Sequence, residues 1–360
     1  MLKTVMPTTS KPLVAIIIVN WNGLKYLPAC FDSLDQQDYP AMRVYLTDNG
    51  SRDDSIKYLE ARSNPPTILA SKVNLGFAEG NTLAIKRAIK DGAEYIFLLN
   101  NDTRCEANVI SQLVEFMSTH PKAGIAMPKL ALMDYPERLD SCGSAFTRTG
   151  FLEHIGCEEL DGPEYSIPKP VFTVKGAAML IKTEVINKIG YLDPDFFAYF
   201  EETDWCWRAW LVGYQSWYAP VATVFHKIGG STGFIGSPTI NYHSFKNHQM
   251  SQIKNLELIN LLTIMPVHLL AVIGFSVIYL LFGKWQNSLA VYRAIGWNII
   301  HLNDNLKKRR AIQAKRRVSD QELFAQVLYP ISWRYLIDFG GRFFKGKRKV
   351  DLIAAKQGSR

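Results

Sequence analysis

Two stretches of this chain carry residues that could do chemistry together. The first is Tyr95-Ile-Phe-Leu-Leu-Asn100-Asn101-Asp102-Thr103, an apolar run of strand length that ends in three polar residues, the last a carboxylate. A buried strand that delivers an Asp to its carboxyl edge puts it where α/β sheets bind ligands. The plainer alternative is an Asn/Asp turn that caps the next helix through Asp102 or Thr103. The second stretch is Phe196-Phe-Ala-Tyr-Phe-Glu201-Glu202-Thr-Asp204-Trp205-Cys-Trp-Arg208, three carboxylates among six aromatic residues. Carboxyl groups against apolar rings have raised pKa values, the condition for a general base near neutral pH. On a helix, Asp204 and Arg208 would form an i, i+4 pair, which points to structure, and Glu201 and Glu202 would lie in the first turn.

Alternating elements must position these groups. Leu13–Val19 reads as a central strand, rich in β-branched residues, and Asn20-Trp-Asn22-Gly23 closes it. A helix is expected over Leu24–Gln37, and a second strand, Met42–Thr47, ends in Asp48-Asn49-Gly50-Ser51. A helix over Asp53–Ala61, a short strand Thr67–Ala70, a glycine-bearing loop Asn74–Asn81 leading into a helix to about Lys90, and a helix Glu106–His120 complete a βαβ pattern. Three strands therefore end in Asn/Asp clusters, and a doubly wound sheet aligns such ends along one edge. Neither G-x-G-x-x-G after the first strand nor a P-loop motif occurs, which disfavours a dinucleotide or P-loop ATP site. From Pro128 to Val171 the pattern loosens into an irregular or antiparallel insertion. Val174–Ile181 then reads as a strand, with Gly176-Ala-Ala178 allowing close backbone approach, more for packing than for a ligand. Thr183–Ile189 reads as a short helix. His226 closes a short strand, Val221–Phe225, before Lys227-Ile-Gly-Gly-Ser-Thr-Gly233, a loop suited to diphosphate contact.

Among 360 residues, 48% are hydrophobic and 21% charged, ordinary values for a globular chain long enough for one α/β domain and an appendage. The net charge of +8 is unevenly placed: from Lys284 onward there are 17 Lys/Arg and 5 Asp/Glu, leaving the body acidic. A basic tail beside an apolar segment suits anionic lipid, and no aromatic-interleaved basic patch suggests nucleic acid. The five cysteines form no C-x-x-C pair, which predicts a reduced chain without a zinc site. The N-terminus lacks the pattern of a signal peptide.

Taken in order, Val19-Asn-Trp-Asn-Gly23, Asp48-Asn-Gly-Ser51, Asn74-x-Gly-Phe-Ala-x-Gly-Asn81, Leu99-Asn-Asn-Asp102, Phe196-Phe-x-Tyr-x-Glu-Glu-x-Asp204 with Arg208, and His226-x-x-Gly-Gly-Ser231 resemble the family 2 glycosyltransferases, especially their rhamnosyltransferase-like branch. The likeness covers residues 13 to about 235 and implies a GT-A fold: a Rossmann-like, mostly parallel sheet with helices on both faces. It places a catalytic domain over 1–245, with a nucleotide-sugar half at about 13–127 and an acceptor half at about 128–245; the apolar and basic composition of 246–360 reads as a helical membrane-association region. It also implies that Asp48 contacts the donor's base, with Asn20, Asn22, Asn49, Asn74, Gly76, Asn81, Asn100, Asn101 and Lys227 around the donor. Asp102 would bind Mg2+ or Mn2+ with His226. Glu202 matches the general base, with Glu201 and Asp204 as alternatives, and Tyr199, Trp205 and Arg208 would face the acceptor. Two departures stand out: the D-x-D element begins with Asn100, and the base position holds Glu where the family has Asp. A processive Q-x-x-R-W motif is absent. The implied reaction is inverting, non-processive transfer from a nucleoside-diphosphate sugar, dTDP-L-rhamnose favoured and UDP-sugars possible, to a lipid-linked or glycan acceptor. A catalytically silent sugar-nucleotide-binding scaffold and a galactofuranosyl- or other hexosyltransferase are the alternatives.

Leu256–Phe282 is apolar and long enough to span a bilayer, interrupted by Glu257, Asn260 and His268 and with Pro266 inside. Basic residues after it (Lys307-Lys-Arg-Arg310, Lys315-Arg-Arg317) belong on the same cytosolic face as a sugar-nucleotide site. The expectation is a re-entrant or interfacial helix pair bent near Pro266, on the cytoplasmic face of the membrane. Phe324–Phe344 reads as a further surface-lying segment. Tyr242, Lys246 and Asn247 join the two parts and are expected beside the acceptor.

Overall fold

The computed structural model describes residues 11–227 and 237–330. Its first half is built as the alternation demands. Strands β1 (Val14–Asn20), β2 (Met42–Asp48), β3 (Thr67–Ala70) and β4 (Tyr95–Leu99) are parallel neighbours in the order β4-β1-β2-β3. Helices α1 (Leu27–Asp35), α2 (Ser55–Glu60), α3 (Gly76–Lys90) and α4 (Val109–Thr119) follow them in the chain. Val14, Ala15, Ile16, Ile17 and Ile18 are all 0% exposed, as a strand covered on both faces requires. Each such aliphatic side chain contributes about 1.5–3 kcal/mol of burial.

The second half turns the sheet mixed. Strands β5 (Thr103–Cys105), β6 (Ala123–Leu132), β7 (Leu139–Ser141), β8 (Ser144–Thr147), β9 (Leu152–His154), β10 (Lys169–Val171), β11 (Ala178–Lys182) and β12 (Gln215–His226) follow, with α5 (Thr183–Ile189) and α6 (Glu201–Leu211) between the last two and after β11. The full order is β10-β12-β6-β11-β4-β1-β2-β3; β11 is antiparallel to β4 and β6, while β6 and β12 are parallel. The sheet is thus less parallel than the alternation implied. The loosened pattern after Pro128 also concealed a strand: β6 runs straight through Pro128, which sits where the β6–β12 register slips between Tyr218 and Thr223. An irregular pairing is where a residue without an N–H is tolerated. The insertion beyond it is antiparallel, as expected, with β8 and β9 forming a small second sheet.

The C-terminal part is α7 (Pro238–Asn255), α8 (Leu258–Leu281), α9 (Trp285–Ile300), α10 (Leu302–Gln313), α11 (Asp320–Val327) and β13 (Leu328–Tyr329). It is woven into the body. β13 adds to β8, the Arg317 N–H donates to the Leu211 carbonyl, and the expected junction at 245/246 falls inside α7. α8 is one helix through Pro266 and is not bent into a pair there. The proline removes one backbone N–H and crowds the carbonyl of Leu262, four residues before it, yet the helix continues for 15 residues beyond, to Leu281. The helix pair exists, but it is α8 with α9, reversed at Gly283, whose φ is +69°. The last segment expected to lie on a surface falls mostly outside the described residues. All five cysteines are free.

Candidate active site

The three Asn/Asp clusters do share one edge. Asn20 and Asp48 are register partners at the ends of β1 and β2, and Asn100 to Asp102 leave the adjacent β4. What they do there divides them. Asn20 is fully buried; its Nδ2 donates to Asp48 Oδ1 (3.2 Å) and Ser51 Oγ (3.2 Å), and its Oδ1 accepts from Asn101 Nδ2 (2.8 Å). Asp48 also accepts from the Ser51 amide at 2.9 Å. Asn49 Nδ2 donates to the Gly76 carbonyl (2.9 Å) and Asn81 Nδ2 to the Phe77 carbonyl (2.8 Å), and both side chains are buried. Asn20, Asn49, Asn81 and Asn101, expected around the donor, are buried and bonded within the edge, which they brace from within; Asn49 Oδ1 keeps no hydrogen-bond partner. Asn22 and Asn74 are exposed and shape loops, Asn22 Oδ1 accepting from the Arg52 amide and Asn74 Oδ1 from the Gly76 amide. Gly23 packs under the same cluster.

A line of charge crosses this edge. β5 pairs antiparallel with the end of β12, placing His226 opposite Thr103 and so beside Asp102. His226 Nε2 faces Asp102 Oδ1 at 3.4 Å and Asn100 Nδ2 at 3.4 Å. His226 Nδ1 lies 2.9 Å from Oδ2 of Asp140, on β7, and Asp140 Oδ1 accepts from Lys175 Nζ at 2.6 Å. Asp140 is buried, which opposes its ionisation, yet Lys175 and His226 hold its carboxyl well below the usual range. Burial likewise disfavours the charged imidazole, but Asp140 and Asp102 raise His226 to about 9. Asp140 and Lys175 escaped the sequence reading. Asp140 lies in an irregular insertion, and Lys175 was visible only as the neighbour of Gly176.

With His226 protonated on both ring nitrogens, Nδ1–H donates to Asp140 and Nε2–H faces Asp102 Oδ1; a divalent ion would have to displace the Nε2 proton, which would leave the Asp140–Nδ1–H brace as the second-shell pattern typical of metal-bound histidine. Among the described residues no three His, Cys, Asp or Glu side chains converge as a complete metal shell. Asp102 and His226 fit two positions of a divalent ion whose remaining ligands would come from diphosphate and water. Lys227 reaches Asp134 instead, at 2.8 Å, and its amide donates to the Asp102 carbonyl. The glycine-rich loop after it lies outside the described residues.

The acidic-aromatic stretch begins α6. Glu201 is buried with Oε2 lacking a hydrogen-bond partner, and burial with the adjacent Glu202 pushes its pKa well above the ordinary value. Glu202 is half-buried. Burial raises its pKa too, but the Lys175 ammonium and the amides of Thr203 and Gly176 favour its charged form. Two neighbouring carboxyls with such unequal support divide acid and base roles. Gly176 is the residue under Glu202: a Cβ there would lie 3.5 Å from Glu202 Cβ.

Asp204, Trp205 and Arg208 point the other way. Asp204 Oδ2 pairs with Arg208 Nε (2.8 Å), and its Oδ1 with Lys254 (3.1 Å) and Asn255 (2.8 Å). Arg208 also donates to the Ile189 and Tyr191 carbonyls, and the Trp205 indole donates to the Gly190 carbonyl. All three are interior residues, so Asp204 is not placed as a base, nor Trp205 and Arg208 as acceptor contacts. Tyr199 remains part-exposed at the head of α6.

Comparisons with known proteins bear on the fold and the family. The profile of Glycosyl transferase family 2 matches residues 15–131, and that of Glycosyl transferase family group 2 matches 95–243. An N-acetylglucosaminyl-diphospho-decaprenol L-rhamnosyltransferase of Mycobacterium tuberculosis is 24% identical over 61% of this chain and 78% of its own. The dTDP-rhamnosyl transferase RfbF of Shigella flexneri is 26% identical over 63% of this chain and 73% of its own. The crystal structure of GalNAc-T7 with UDP, GalNAc and Mn2+ superposes with a TM-score of 0.55 at 15% identity, over 67% of this chain and 47% of that one, a likeness of fold. The first profile takes in the strand ends and the second the Asn100–Asp102 end with the Glu201–Glu202 stretch, and the chain, similar to these rhamnosyltransferases, belongs to glycosyl transferase family 2.

Proposed function

We propose that this chain transfers a single sugar, rhamnose favoured, from a nucleoside-diphosphate donor to a lipid-linked or glycan acceptor with inversion, using Glu202 as general base. The observation that carries the reading is the line Asp102–His226–Asp140–Lys175, which ends beside Glu202. It sets a cation-holding pair and a fixed ammonium next to a carboxylate that is part-exposed and charge-supported. Glu202 would take the proton of an acceptor hydroxyl, freeing that oxygen to attack the anomeric carbon as the diphosphate departs; Glu201 is buried, with its pKa pushed well above the ordinary value, which makes Glu202 the better-placed base. The Lys175 ammonium favours the charged forms of Glu202 and Asp140 and would offer a positive charge beside the departing diphosphate. Bound Mg2+ or Mn2+, held by Asp102 and His226, would neutralise the diphosphate.

The acceptor reading rests on α8 and α9. α8 turns Ile264, His268, Val272, Ser276 and Tyr279 inward and leaves the opposite face bare, with Leu270 72% and Leu281 79% exposed. α9 exposes large apolar side chains of its own, Trp285, Leu289 and Ile300. A bilayer surface, entered to the depth of one helix face from the cytoplasmic side, is the occupant that a basic C-terminal half favours.

The test is release of nucleoside diphosphate from dTDP-L-rhamnose and a panel of UDP-sugars, with Mg2+, Mn2+ or chelator. Wild type should turn over dTDP-L-rhamnose and Asp102→Ala should not. Turnover in Asp102→Ala equal to wild type, with and without chelator, refutes the metal role. Co-sedimentation with anionic vesicles, lost in Leu270→Glu/Leu281→Glu, tests the surface.

A further inference from the structure

The turn that leads into α6 is held in a conformation that its own residues disfavour. Phe197, Tyr199 and Phe200 have φ of 62°, 71° and 72°, three bulky side chains in the left-handed region within four residues. Such conformations persist only where the surroundings over-determine them. Here every carbonyl of the turn is taken. The Phe197 carbonyl accepts from the Phe77 (2.6 Å) and Ala78 (3.1 Å) amides at the start of α3. The Phe196, Ala198 and Tyr199 carbonyls surround one group, Nδ2 of Asn247 on α7, at 3.0, 2.9 and 2.6 Å, and share its two hydrogens. The Phe200 carbonyl begins the helix by accepting from the Asp204 amide. Asn247 is fully buried, so it does not line an approach for the acceptor as its place in the sequence suggested.

Charge closes the same clasp. Just before the turn, Asp193 accepts from Lys254 of α7 (2.9 Å) and Lys308 of α10 (2.6 Å). Asp195 pairs with Lys308 (2.6 Å), and its carbonyl accepts from Lys246 of α7. The donor half therefore grips the turn from one side through α3, and the C-terminal helices grip it from the other. The two carboxyls of Glu201 and Glu202 follow directly, so their direction is set by a turn that does not hold its own shape.

We propose that Asn247 is a positioning residue for the catalytic carboxylate: its amide, with Lys308 behind it, locks the left-handed turn that aims Glu202 across the sheet edge. The C-terminal helices are thereby part of the catalytic apparatus as well as its attachment. This rests on the reading of Glu202 as base, and the experiment separates the two claims. Asn247→Asp keeps the shape and removes the donor, placing a carboxylate against three carbonyls. In full-length protein turning over dTDP-L-rhamnose, kcat should fall about 10²-fold, the scale of an angstrom-sized misplacement. Affinity for dTDP by calorimetry should stay within about twofold, because Asp48 and its braces are untouched. Lys308→Met, at a side chain 30% exposed, should fold normally and lower kcat about tenfold at unchanged dTDP affinity. If Asn247→Asp is insoluble, Lys308→Met carries the test. A kcat within about threefold of wild type in the soluble variants overturns the proposal, and so does dTDP affinity that falls in step with kcat. Glu202→Gln run alongside decides the rest. A slow Glu202→Gln with a fast Asn247→Asp refutes the clasp alone; a fully active Glu202→Gln refutes the base, and the clasp's role with it.

Discussion

The donor edge and the α6 turn meet at the start of α3, and they are built on opposite principles. At the donor edge, local sequence and tertiary role coincide: β1 and β2 end in register, and their Asn and Asp residues bond to one another over short gaps in space. At the turn, local preference and final shape conflict, and segments far along the chain resolve the conflict, Asn247 some fifty residues on and Lys308 more than a hundred. A self-braced edge should tolerate losses elsewhere, whereas an externally held turn should fail when any of its holders goes.

That contrast can be pressed at several points. The largest effect is expected from Glu202→Gln, which should lower transfer by about 10²–10⁴-fold while dTDP binding persists. Single-turnover kinetics with calorimetry checks this, and parallel loss of both would merge the two regions into one. Next, Asp204→Asn removes the carboxylate partner of Arg208, which is 7% exposed, and one of the two carboxylates on Lys254, which is 1% exposed and keeps Asp193. Breaking such a pair costs about 3–5 kcal/mol, so urea unfolding should shift by that much even though Asp204 touches no substrate. Gly76→Ala tests where the two regions meet. Gly76 has φ +76°, and a Cβ would come 2.4 Å from the Phe197 carbonyl oxygen. A loss of about 1–3 kcal/mol is expected, with kcat falling more than donor KM rises.

The smallest effect is in pH dependence. His248 is buried on α7, stacked on Phe200 and bonded to the Gly150 carbonyl. Burial, then the neighbouring His268, depresses its pKa well below the ordinary value. The unfolded chain takes up a proton near its reference pKa of about 6.5 while the folded chain refuses it, so stability contributed above that pH is lost as pH falls below it. The slope is at most about 1.4 kcal/mol per pH unit. His248→Gln should flatten the denaturation midpoint between roughly pH 6.5 and 4.5, and an unchanged slope would remove His248 from the account.

How far the sequence could be read follows the same division. β1 to β4, their polar ends and the pairing of Asp204 with Arg208 were legible because hydrophobic period, strand length and i, i+4 spacing are local quantities. β6 was hidden by Pro128, whose tolerated place depends on a register slip with β12. α7 buries Lys246, Asn247, Gln249, Ser251, Gln252, Lys254 and Asn255, a polar face turned inward that no amphipathic pattern announces. Composition did locate the apolar length of α8, yet its reversal at Gly283 and not at Pro266 was settled by packing against α9.

By itself, then, the chain determined which residues could act and that three strand ends would lie together, because alternation of apolar runs with Asn and Asp commits the backbone over a few residues. Only the tertiary structure decided which of them brace and which face outward. It also brought Asp140 and Lys175 to His226, and it fixed the turn that aims Glu202. Those outcomes depend on which distant segments supply hydrogen-bond donors and charge to buried groups, and a polar group's partner has no signature in the spacing of its own neighbours.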